Sequence, residues 1–352
     1  MIPVLMPANT DPSMLSYNGL GFLRDCVACK VTEELNKIYE AELTIPYEGI
    51  HGTEIEPDMC LKIKAGETQG IQLFRIYRIT KPLNGMMKIY AQHISYDLAF
   101  NPVIPFNVTS VSAQTALNAL SSHCYYSHNF TFTTNKTTIN SLSFSAPQTA
   151  RKVLGGMQGS ILDNFGGEYE FDNFTVKLWT ARGSDKGVTI YYGKNLTNFE
   201  IDTNLQSTNT GVYPYAIDSE GNITLLTEKI ITTNTFDSYA EPRVIPLDLS
   251  DKFEGDSITE TGLRNAANTY ITANKIDSIY QNFKINFVQL WKSNEYQNLT
   301  ALEQADIGDI VTIRYFKLGI SAKSKIIKTV YSSLTEQYES IELGTPKIIL
   351  RR

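Results

Sequence analysis

The chain carries a faint internal repeat, which constrains its fold more than any other feature. In both copies a turn ends in an aspartate, Asp58 or Asp309, and an alternating strand follows it. Another strand precedes each turn, and two more follow at similar intervals, the first of them beginning near Phe74 or Ile326. Such strands predict one small antiparallel β-barrel near each end of the chain, although β meanders in general share this likeness.

The composition favours β structure with sizeable cores. Of the 352 residues, 42% are hydrophobic and 19% are charged, and the chain holds 20 Tyr and 16 Phe. The net charge of −6 argues against duplex nucleic-acid binding, which normally needs a basic surface. The first eight residues are apolar but lack a basic start and contain prolines, so neither a signal peptide nor a membrane span is predicted. We therefore expect synthesis in a cytoplasm.

The pattern between the two barrels changes to helical spacing, which divides the chain into domains. We predict a first β-barrel domain from residues 1–99 plus about 186–238, and an inserted α+β lobe over 100–185. A connector with a helix over 239–276 and a second β-barrel domain over 277–352 complete the chain. The predicted fold class is α+β and mainly β.

Three local patterns support the lobe and the connector. Helices are predicted over 112–121 and 150–165, and a hairpin over 168–179 follows them. The sequence Ser257-Ile-Thr-Glu260 has the form of a capping box and predicts the start of the connector helix.

Four cysteines raise the question of a metal or redox site. Cys26 and Cys29 form a C-x-x-C pair, for which Cys60 or the cluster His123-Cys124…His128 could supply further ligands. The residues around the pair alternate like a strand, whereas a thioredoxin-type site opens a helix. We expect Cys26 and Cys29 to be buried structural thiols.

No constellation in the sequence identifies a catalytic site. Neither His-Glu-x-x-His nor Gly-x-Ser-x-Gly is present. His93 and Asp97 could form an acid–base couple, but a strand that ends in a polar turn, with Tyr96 buried, is favoured. A Cys124–His123 pair and two carboxylates for glycoside cleavage stay open as alternatives. The loop Arg182–Gly187 is interpreted as a tight turn or a contact with a neighbouring protein, and no catalytic, cofactor-binding or metal-ligating residue is predicted.

Three motifs in order carry a family resemblance. They are Gln92–Leu98, then Phe165–Asn173 with Tyr192–Leu196, and finally Tyr338–Gly344. Together they resemble the N-terminal region of phage tail-associated proteins of the prophage endopeptidase tail family, a likeness that covers essentially the whole chain. This family is similar to the baseplate hub of contractile-tailed phages.

The resemblance implies an architecture, an assembly and partners. Such hubs are trimers in which two barrel domains per subunit form a pseudo-sixfold ring, as the repeat would require. The implied partners are further copies of this chain, a distal tail or baseplate ring protein, a tape-measure protein, and a tail spike, fibre or lysin part. DNA would pass through the ring without specific binding, and no cofactor is implied. The implied location is the tip of a virion tail.

Three functions are therefore considered. The first is a structural, non-enzymatic hub of a phage or prophage tail tip. The second is a tail-associated cell-wall hydrolase, an endopeptidase or muramidase; family members that digest cell wall generally carry the lysin after this region, and the sequence stops at Arg352, so we expect no such domain. The third is a glycan-binding adhesin, which a shallow groove lined with Tyr and with Trp179 or Trp291 would favour.

Overall fold

The computed structural model of the protein describes residues 1–83, 85–191, 195–206, 208–253, 258–287, 305–315 and 320–344. The predicted fold class is confirmed, because the chain is mainly β with few helices and mostly antiparallel sheets. No helix within these residues is long and apolar enough to cross a membrane.

The first third of the chain is a β module with one short 3₁₀ turn inside it and one after it. We call the seven strands the N-terminal module: β1 (Val4–Met6), β2 (Gly21–Phe22), β3 (Ala28–Glu34), β4 (Tyr39–Pro46), β5 (Cys60–Lys64), β6 (Ile71–Thr80) and β7 (Met86–His93). The 3₁₀ turns are Pro12–Ser16 and Ile94–Phe100. Strand β4 buries every second residue, as expected of a sheet with one face on a core.

The next segment is an α+β lobe that packs its buried side chains into the same core as the N-terminal module. Its elements are β8 (Pro102–Val103), β9 (Phe106–Ser112), α1 (Ala113–His123), β10 (Thr131–Thr134), β11 (Ile139–Phe144), β12 (Gln148–Thr149), α2 (Ala150–Leu154), α3 (Ile161–Phe165), β13 (Glu168–Asp172) and β14 (Thr175–Trp179). The predicted helix over 150–165 is therefore wrong as a single helix. Gly156 and Gly159 have positive φ in the loop that separates α2 from α3, and glycine adopts that conformation at little cost.

The remaining elements form a second β module and a separate unit that interrupts it in sequence. They are β15 (Asp185–Tyr191), β16 (Leu196–Asn204), β17 (Gly211–Ile217), β18 (Ile223–Leu225), β19 (Ile231–Thr232), β20 (Val244–Asp248), α4 (Glu260–Asn274), β21 (Tyr280–Phe287), β22 (Ile310–Tyr315), β23 (Ile320–Ser332) and β24 (Gln337–Gly344), with 3₁₀ turns at Phe236–Ser238 and Ser250–Lys252. We call β15, β16 and β21–β24 the C-terminal module. Residues 201–282, which include the end of β16 and the start of β21, form a compact unit of their own, which we call the inserted unit.

The two modules share one strand order. When six strands of each module are numbered along the chain, both sheets run second, third, sixth, fifth, fourth, first. In the N-terminal module the order is β3-β4-β7-β6-β5-β1, and in the C-terminal module it is β16-β21-β24-β23-β22-β15. One difference is that β1 pairs antiparallel with β5, whereas β15 pairs parallel with β22. The repeat that the sequence suggests is thus a repeat of topology.

The register of the repeat is fixed by matching backbone hydrogen bonds. Ile76 donates to the carbonyl oxygen of Met59 and accepts from Asp58, at 2.8 Å in both cases. Ile326 makes the same two bonds with Asp309 and Gly308, again at 2.8 Å. Asp58 is therefore equivalent to Gly308, one residue from the aspartate that the sequence pattern suggested. Both residues have positive φ (76° and 89°), so the turn conformation is conserved while the side chain is not.

Two predicted domain boundaries need correction. Residues 186–238 were assigned to the first barrel, but β15 pairs with β22 of the C-terminal module and β17 lies in the inserted unit. Strand alternation in the sequence cannot show which sheet a strand joins, because every half-buried strand has the same period.

The connector helix was also assigned differently. Ser257 lies outside the described residues, and α4 begins at Glu260 with the Thr259 side chain accepting a hydrogen bond from the Gly262 N–H. Leu263 and Ala267 of α4 are buried in a core shared with β17, so this helix completes the inserted unit.

Candidate assembly interface

The two modules are joined by strand pairing, which the sequence did not predict. The last five residues of β23, Lys328–Ser332, pair antiparallel with Lys30–Glu34 of β3. The Leu35 N–H donates to the Ile327 carbonyl at 2.8 Å, and the Ser333 N–H donates to the Cys29 carbonyl at 2.9 Å. The sheets of the two modules therefore form one continuous sheet, although each module keeps its own hydrophobic core.

A buried ion pair lies beside this junction. The Arg182 guanidinium donates to the Glu33 carboxylate at 2.6 Å, and the two side chains are only 7% and 5% exposed. Burial raises the pKa of Glu33, and Arg182 and Gln69 oppose that shift. Burial lowers the pKa of Arg182, but Glu33, Glu170 and Asp306 together raise it by more, so the guanidinium stays charged. A charge buried this deeply is costly unless its partner is present, so the pair fixes the lobe-to-module linker against β3.

The same linker is tied to the C-terminal module through Glu168 and Asp309. The Arg182 N–H donates to Glu168 at 2.6 Å, and Lys325 of β23 forms an ion pair with the same carboxylate at 2.5 Å. Asp309 accepts from the Ser184 N–H at 2.9 Å and from the Lys186 ammonium at 2.7 Å. The predicted turn Arg182–Gly187 therefore makes its described contacts within the chain, and contact with a neighbouring protein stays a prediction.

An open polar cleft of about 290 Å³ lies along this linker. Asp306 is its centre, accepting from the Tyr338 hydroxyl at 2.6 Å and from the Thr68 N–H at 3.0 Å. These bonds join the turn after β5 to β24. These hydrogen bonds strengthen the junction between the modules. The acidic side chains that line the cleft therefore already have hydrogen-bond partners.

An exposed ion pair closes the other side of the junction and should make stability depend on pH. The Lys64 ammonium and the N-terminal ammonium of Met1 both donate to Glu336, and these two bonds lower the pKa of Glu336 from 4.5 to about 2. A carboxylate with a lowered pKa stabilises the folded state above pH 4.5 and loses that contribution as the pH falls towards 2. We expect the variant Lys64→Met to show a smaller loss of melting temperature between pH 5 and pH 3 than the unchanged protein.

The control for this prediction is Lys88→Met, which removes an exposed pair with Glu42 within the N-terminal module alone. Thermal melts at both pH values would show the difference. The same acid dependence in the protein and in Lys64→Met would contradict the assignment.

The His93–Asp97 couple is not formed. His93 is fully buried and accepts the Ser95 N–H at Nδ1 (3.2 Å), so its Nε2–H donates to Gln72 (3.2 Å). Burial lowers the pKa of His93 well below 6.5, which keeps the ring neutral. Asp97 instead accepts three hydrogen bonds from Arg75, at 2.9, 3.2 and 2.8 Å. These contacts favour the interpretation as a strand that ends in a polar turn. The partner of Asp97 is the Arg75 side chain, whereas backbone N–H groups were expected.

The His93 network also anchors the lobe. Gln72 accepts from the Asn173 N–H at 2.7 Å and donates to Asp172 at 3.1 Å. The hairpin between β13 and β14 is therefore bonded to β6 through a buried amide. Asp172 and Asn173 lie at the turn of the hairpin that was predicted over 168–179, and both side chains bond to the N-terminal module.

None of the four cysteines belongs to a possible metal site within the described residues. All four are free thiols, and no group of three His, Cys, Asp or Glu side chains within the described ranges could hold a metal ion. Burial raises the pKa of Cys26 to about 11 and that of Cys60 to about 12. The Cys26 thiol donates to the Ala28 carbonyl at 3.1 Å, and Cys29 is buried on β3. Thiols of this kind are unreactive at neutral pH, because the thiolate is the nucleophile.

We expect Cys26 and Cys29 to be replaceable. Cys29→Ala should lower the free energy of unfolding by about 1–2 kcal/mol, the usual scale for a small core truncation. Purified protein should contain no zinc, and alkylation of Cys26 in the folded state should accelerate as the pH rises towards 11, its pKa in the folded protein. Metal analysis and mass spectrometry measure both. Stoichiometric zinc that disappears in Cys29→Ser would overturn this assignment.

The Cys124–His123 pair is not assembled either. The His123 ring donates to the Ala119 carbonyl at 2.8 Å and stacks on Phe106 at 4.8 Å. Burial raises the pKa of Cys124 to about 11. His128 accepts the Phe130 N–H at 3.2 Å. These residues hold a loop of the lobe in place, and the described contacts supply no orienting partner for a nucleophile.

Of the two tryptophans considered for a glycan groove, only Trp179 lies within the described residues. The Trp179 indole donates to Glu170 at 2.7 Å and lies next to the polar linker, and Trp291 lies outside the described residues. A second open cleft, of about 320 Å³, is lined on one side by Phe100 and Tyr126, whose side chains are 80% and 59% exposed. Asn101 fixes the backbone of Tyr126 with two hydrogen bonds, of 2.8 and 3.0 Å.

Comparisons with known proteins agree with this fold. The 43 kDa tail protein of prophage MuSo2 from Shewanella oneidensis has a TM-score of 0.63 at 10% identity, over 99% of this chain and 100% of that chain. The prophage tail protein gp18 from Listeria monocytogenes has a TM-score of 0.61 at 14% identity, over 99% and 95%. A tail protein from Neisseria meningitidis has a TM-score of 0.60 at 10% identity, over 99% and 97%. No curated protein sequence matches the chain.

These likenesses show that the chain has a fold found in phage tail proteins. The family described as prophage endopeptidase tail matches residues 184–348. That part of the chain is similar to the family, and the resemblance that the motifs indicate is confirmed. The match begins where β15 begins, so it spans the C-terminal module together with the inserted unit. The motifs at 92–98 and 165–173 lie before it.

Proposed function

We propose that this protein is a structural hub of a phage or prophage tail tip, without enzymatic activity. Three chains form a ring that joins the tail tube to the part that contacts or punctures the host. The observation that carries the proposal is the shared strand order of the two modules. A chain with two similar modules presents two similar faces, so three chains present six to a sixfold tube. A ring of this kind arises from heterologous contacts whose rotation closes.

The junction within the chain supports this proposal. Pairing of β23 with β3, the Arg182–Glu33 ion pair and the Lys325–Glu168 ion pair together fix the orientation of one module against the other. A ring subunit needs such a fixed angle, because a flexible link between modules would not define a closed assembly. The partners of the ring are a distal tail or baseplate ring protein, a tape-measure protein, and a spike, fibre or lysin part.

The place of the protein in the particle tests the proposal. An epitope inserted in the exposed turn at Asp218–Asn222 leaves the strands of the inserted unit intact. Immunogold labelling of phage particles should mark the end of the tail distal to the capsid. Labelling along the length of the tube would contradict a hub.

The hydrolase alternative is tested by zymography. His93, His123 and His128 make structural contacts, and burial raises the pKa of Cys124, so no clearing of a peptidoglycan gel is expected. Clearing that disappears when one carboxylate or Cys124 is replaced would establish the enzyme.

A glycan-binding role is the second candidate, favoured by the cleft beside Phe100 and Tyr126. Aromatic rings held rigidly at a surface can contact the apolar faces of sugars. Binding of host wall glycan that is lost in Tyr126→Ala, but kept in Tyr17→Ala at another exposed site, would establish this role. Absence of glycan binding leaves the hub alone.

A further inference from the structure

The equivalence of the two modules identifies two sheet edges that have no described strand partner. In the C-terminal module, the last residues of β23 extend beyond β22 and pair with β3. In the N-terminal module, β6 pairs with β5 as far as Arg75, and residues 77–80 extend beyond it. These residues pair with β7 on one side only, within the part of the chain that the structure describes. They are the counterpart of the segment that joins the two modules.

The partner strand has a counterpart as well. Strand β3, the second strand of its module, pairs with β4 and with β23. Strand β16, the second strand of the other module, pairs with β21 and stands at the end of the sheet order. Among described residues, no strand covers its other edge. Within the described residues, each chain therefore forms one junction of this kind, between β23 and β3. The two strands that correspond to them, β6 and β16, each keep one edge without a strand partner.

Burial at equivalent positions agrees with this assignment. Ile327, whose carbonyl accepts from Leu35 at the junction, is 6% exposed, whereas the equivalent Tyr77 is 47% exposed. Thr329 is 2% exposed, and its equivalent Ile79 is only partly buried. The higher exposure of Tyr77 and Ile79 is the result expected where no neighbouring strand covers the edge.

Charge is also matched across the two edges. At the junction within the chain, Lys328 pairs opposite Glu34. The hydrogen-bond register places Arg78 at the position of Lys328, and β16 carries two exposed acidic residues, Glu200 and Asp202. The two open edges therefore carry charges of opposite sign, as Lys328 and Glu34 do at the junction within the chain.

Resting on the proposed trimeric hub, we infer that residues 77–80 of β6 pair with β16 of a second copy of this chain. Three junctions within chains, β23 with β3, then alternate around the ring with three junctions between chains, β6 with β16. The occupant is a second copy because the chain itself contains both halves and already demonstrates the contact. Pairing also removes two open strand edges, which otherwise favour aggregation.

Hydrogen exchange on the assembled protein tests the pairing directly. We compare the free chain with the complex formed with its adjoining tail ring protein. Backbone amides of residues 77–80 and of 196–200 should exchange at least about tenfold more slowly in the complex, as paired strands do. Amides of the made junction, 30–34, should be protected in both states. If amides elsewhere in the complex were protected while the exchange rates of residues 77–80 and 196–200 stayed unchanged, the inference would be overturned.

A charge swap gives an independent readout. Arg78 is exposed and stacks on Tyr90 at 3.8 Å, so Arg78→Glu should leave the fold intact by circular dichroism. Arg78→Glu and Glu200→Arg should each reduce the fraction of trimer at least about tenfold, because like charges face each other, and the double variant should restore it. Lys229→Glu, in a loop of the inserted unit, makes the same charge change as a control and should have no effect.

The outcomes separate this inference from the hub itself. A complex with three copies whose β6 and β16 edges stay unprotected would contradict the edge pairing and leave the hub proposal standing. A complex without three copies would contradict both. Charged residues and proline at an open strand edge, here Arg78, Lys81 and Pro82, also guard against unwanted pairing. An assembled trimer indifferent to Arg78→Glu would contradict the charge pairing at this edge.

Discussion

Replacing Arg182 with Met is expected to lower the free energy of unfolding by about 3–5 kcal/mol, the usual cost of breaking a buried ion pair from one side. The change leaves the buried Glu33 carboxylate without its cation, although Gln69 still donates to it. Denaturant unfolding followed by the fluorescence of Trp179, which lies beside the linker, measures the loss. The double variant Arg182→Met/Glu33→Leu removes both charges and should recover much of it.

The matched control is an exposed ion pair on the same linker. Lys323 and Asp185 form a pair at 2.7 Å, with side chains 65% and 36% exposed. Lys323→Met should cost less than about 1 kcal/mol, because solvent screens exposed pairs. Equal losses from Lys323→Met and Arg182→Met, or a double variant as unstable as the single one, would show that burial of the Arg182 pair does not determine its effect.

Gly183→Ala is expected to produce the second large loss. Gly183 has a φ of +74°, and a Cβ atom there would lie 2.2 Å from the backbone carbon of Gly308. A positive φ costs an alanine about 1–2 kcal/mol, and forcing an atom into a filled space adds about 1–3 kcal/mol. The linker and the turn before β22 must then separate, which also disturbs the hydrogen bond from the Ser184 N–H to Asp309.

Gly187 provides the control for the space alone. Its φ is +76°, and no atom lies within 4 Å of a Cβ placed there. Gly187→Ala should therefore cost only the conformational part, about 1–2 kcal/mol. Thermal and denaturant unfolding of both variants would separate the two contributions. A Gly183→Ala protein no less stable than Gly187→Ala would contradict the close approach of the two backbones.

The fold class and the repeat could be predicted from the sequence because both depend on local patterns. Alternation and turn residues indicate strands wherever one face is buried, and the two turns before β5 and β22 share a backbone conformation. Asp58 and Gly308 occupy equivalent places with positive φ, although the sequence pattern paired Asp58 with Asp309. The pattern was close enough to reveal the repeat and one residue short of its true register.

The connections between segments could not be predicted, because they depend on contacts distant in sequence. Nothing in the pattern of β15 indicates that it joins β22, and nothing in β23 indicates that its second half pairs with β3. The Glu33–Arg182 pair was missed for the same reason, since the sequence shows two ordinary surface-type charges. The usable signal was the turn Arg182–Gly187, in which both glycines have positive φ.

Arg151 was also missed, and it shows how far burial can override residue type. It is 3% exposed, and its guanidinium lies over the Tyr96 ring at 3.8 Å, with one hydrogen bond of 3.4 Å to Ser95. Burial lowers its pKa. Helical spacing in the sequence predicted that Val153 and Leu154 are buried. It did not indicate that Arg151 is buried beside them, against the 94–100 turn.

The number of chains in the assembled tail tip tests the central claim most directly. The protein is co-expressed with its adjoining tail ring protein, and the purified complex is measured by native mass spectrometry and by electron microscopy. We predict three copies of this chain, arranged with six similar modules around one axis. A complex that holds two or four copies would contradict the hub.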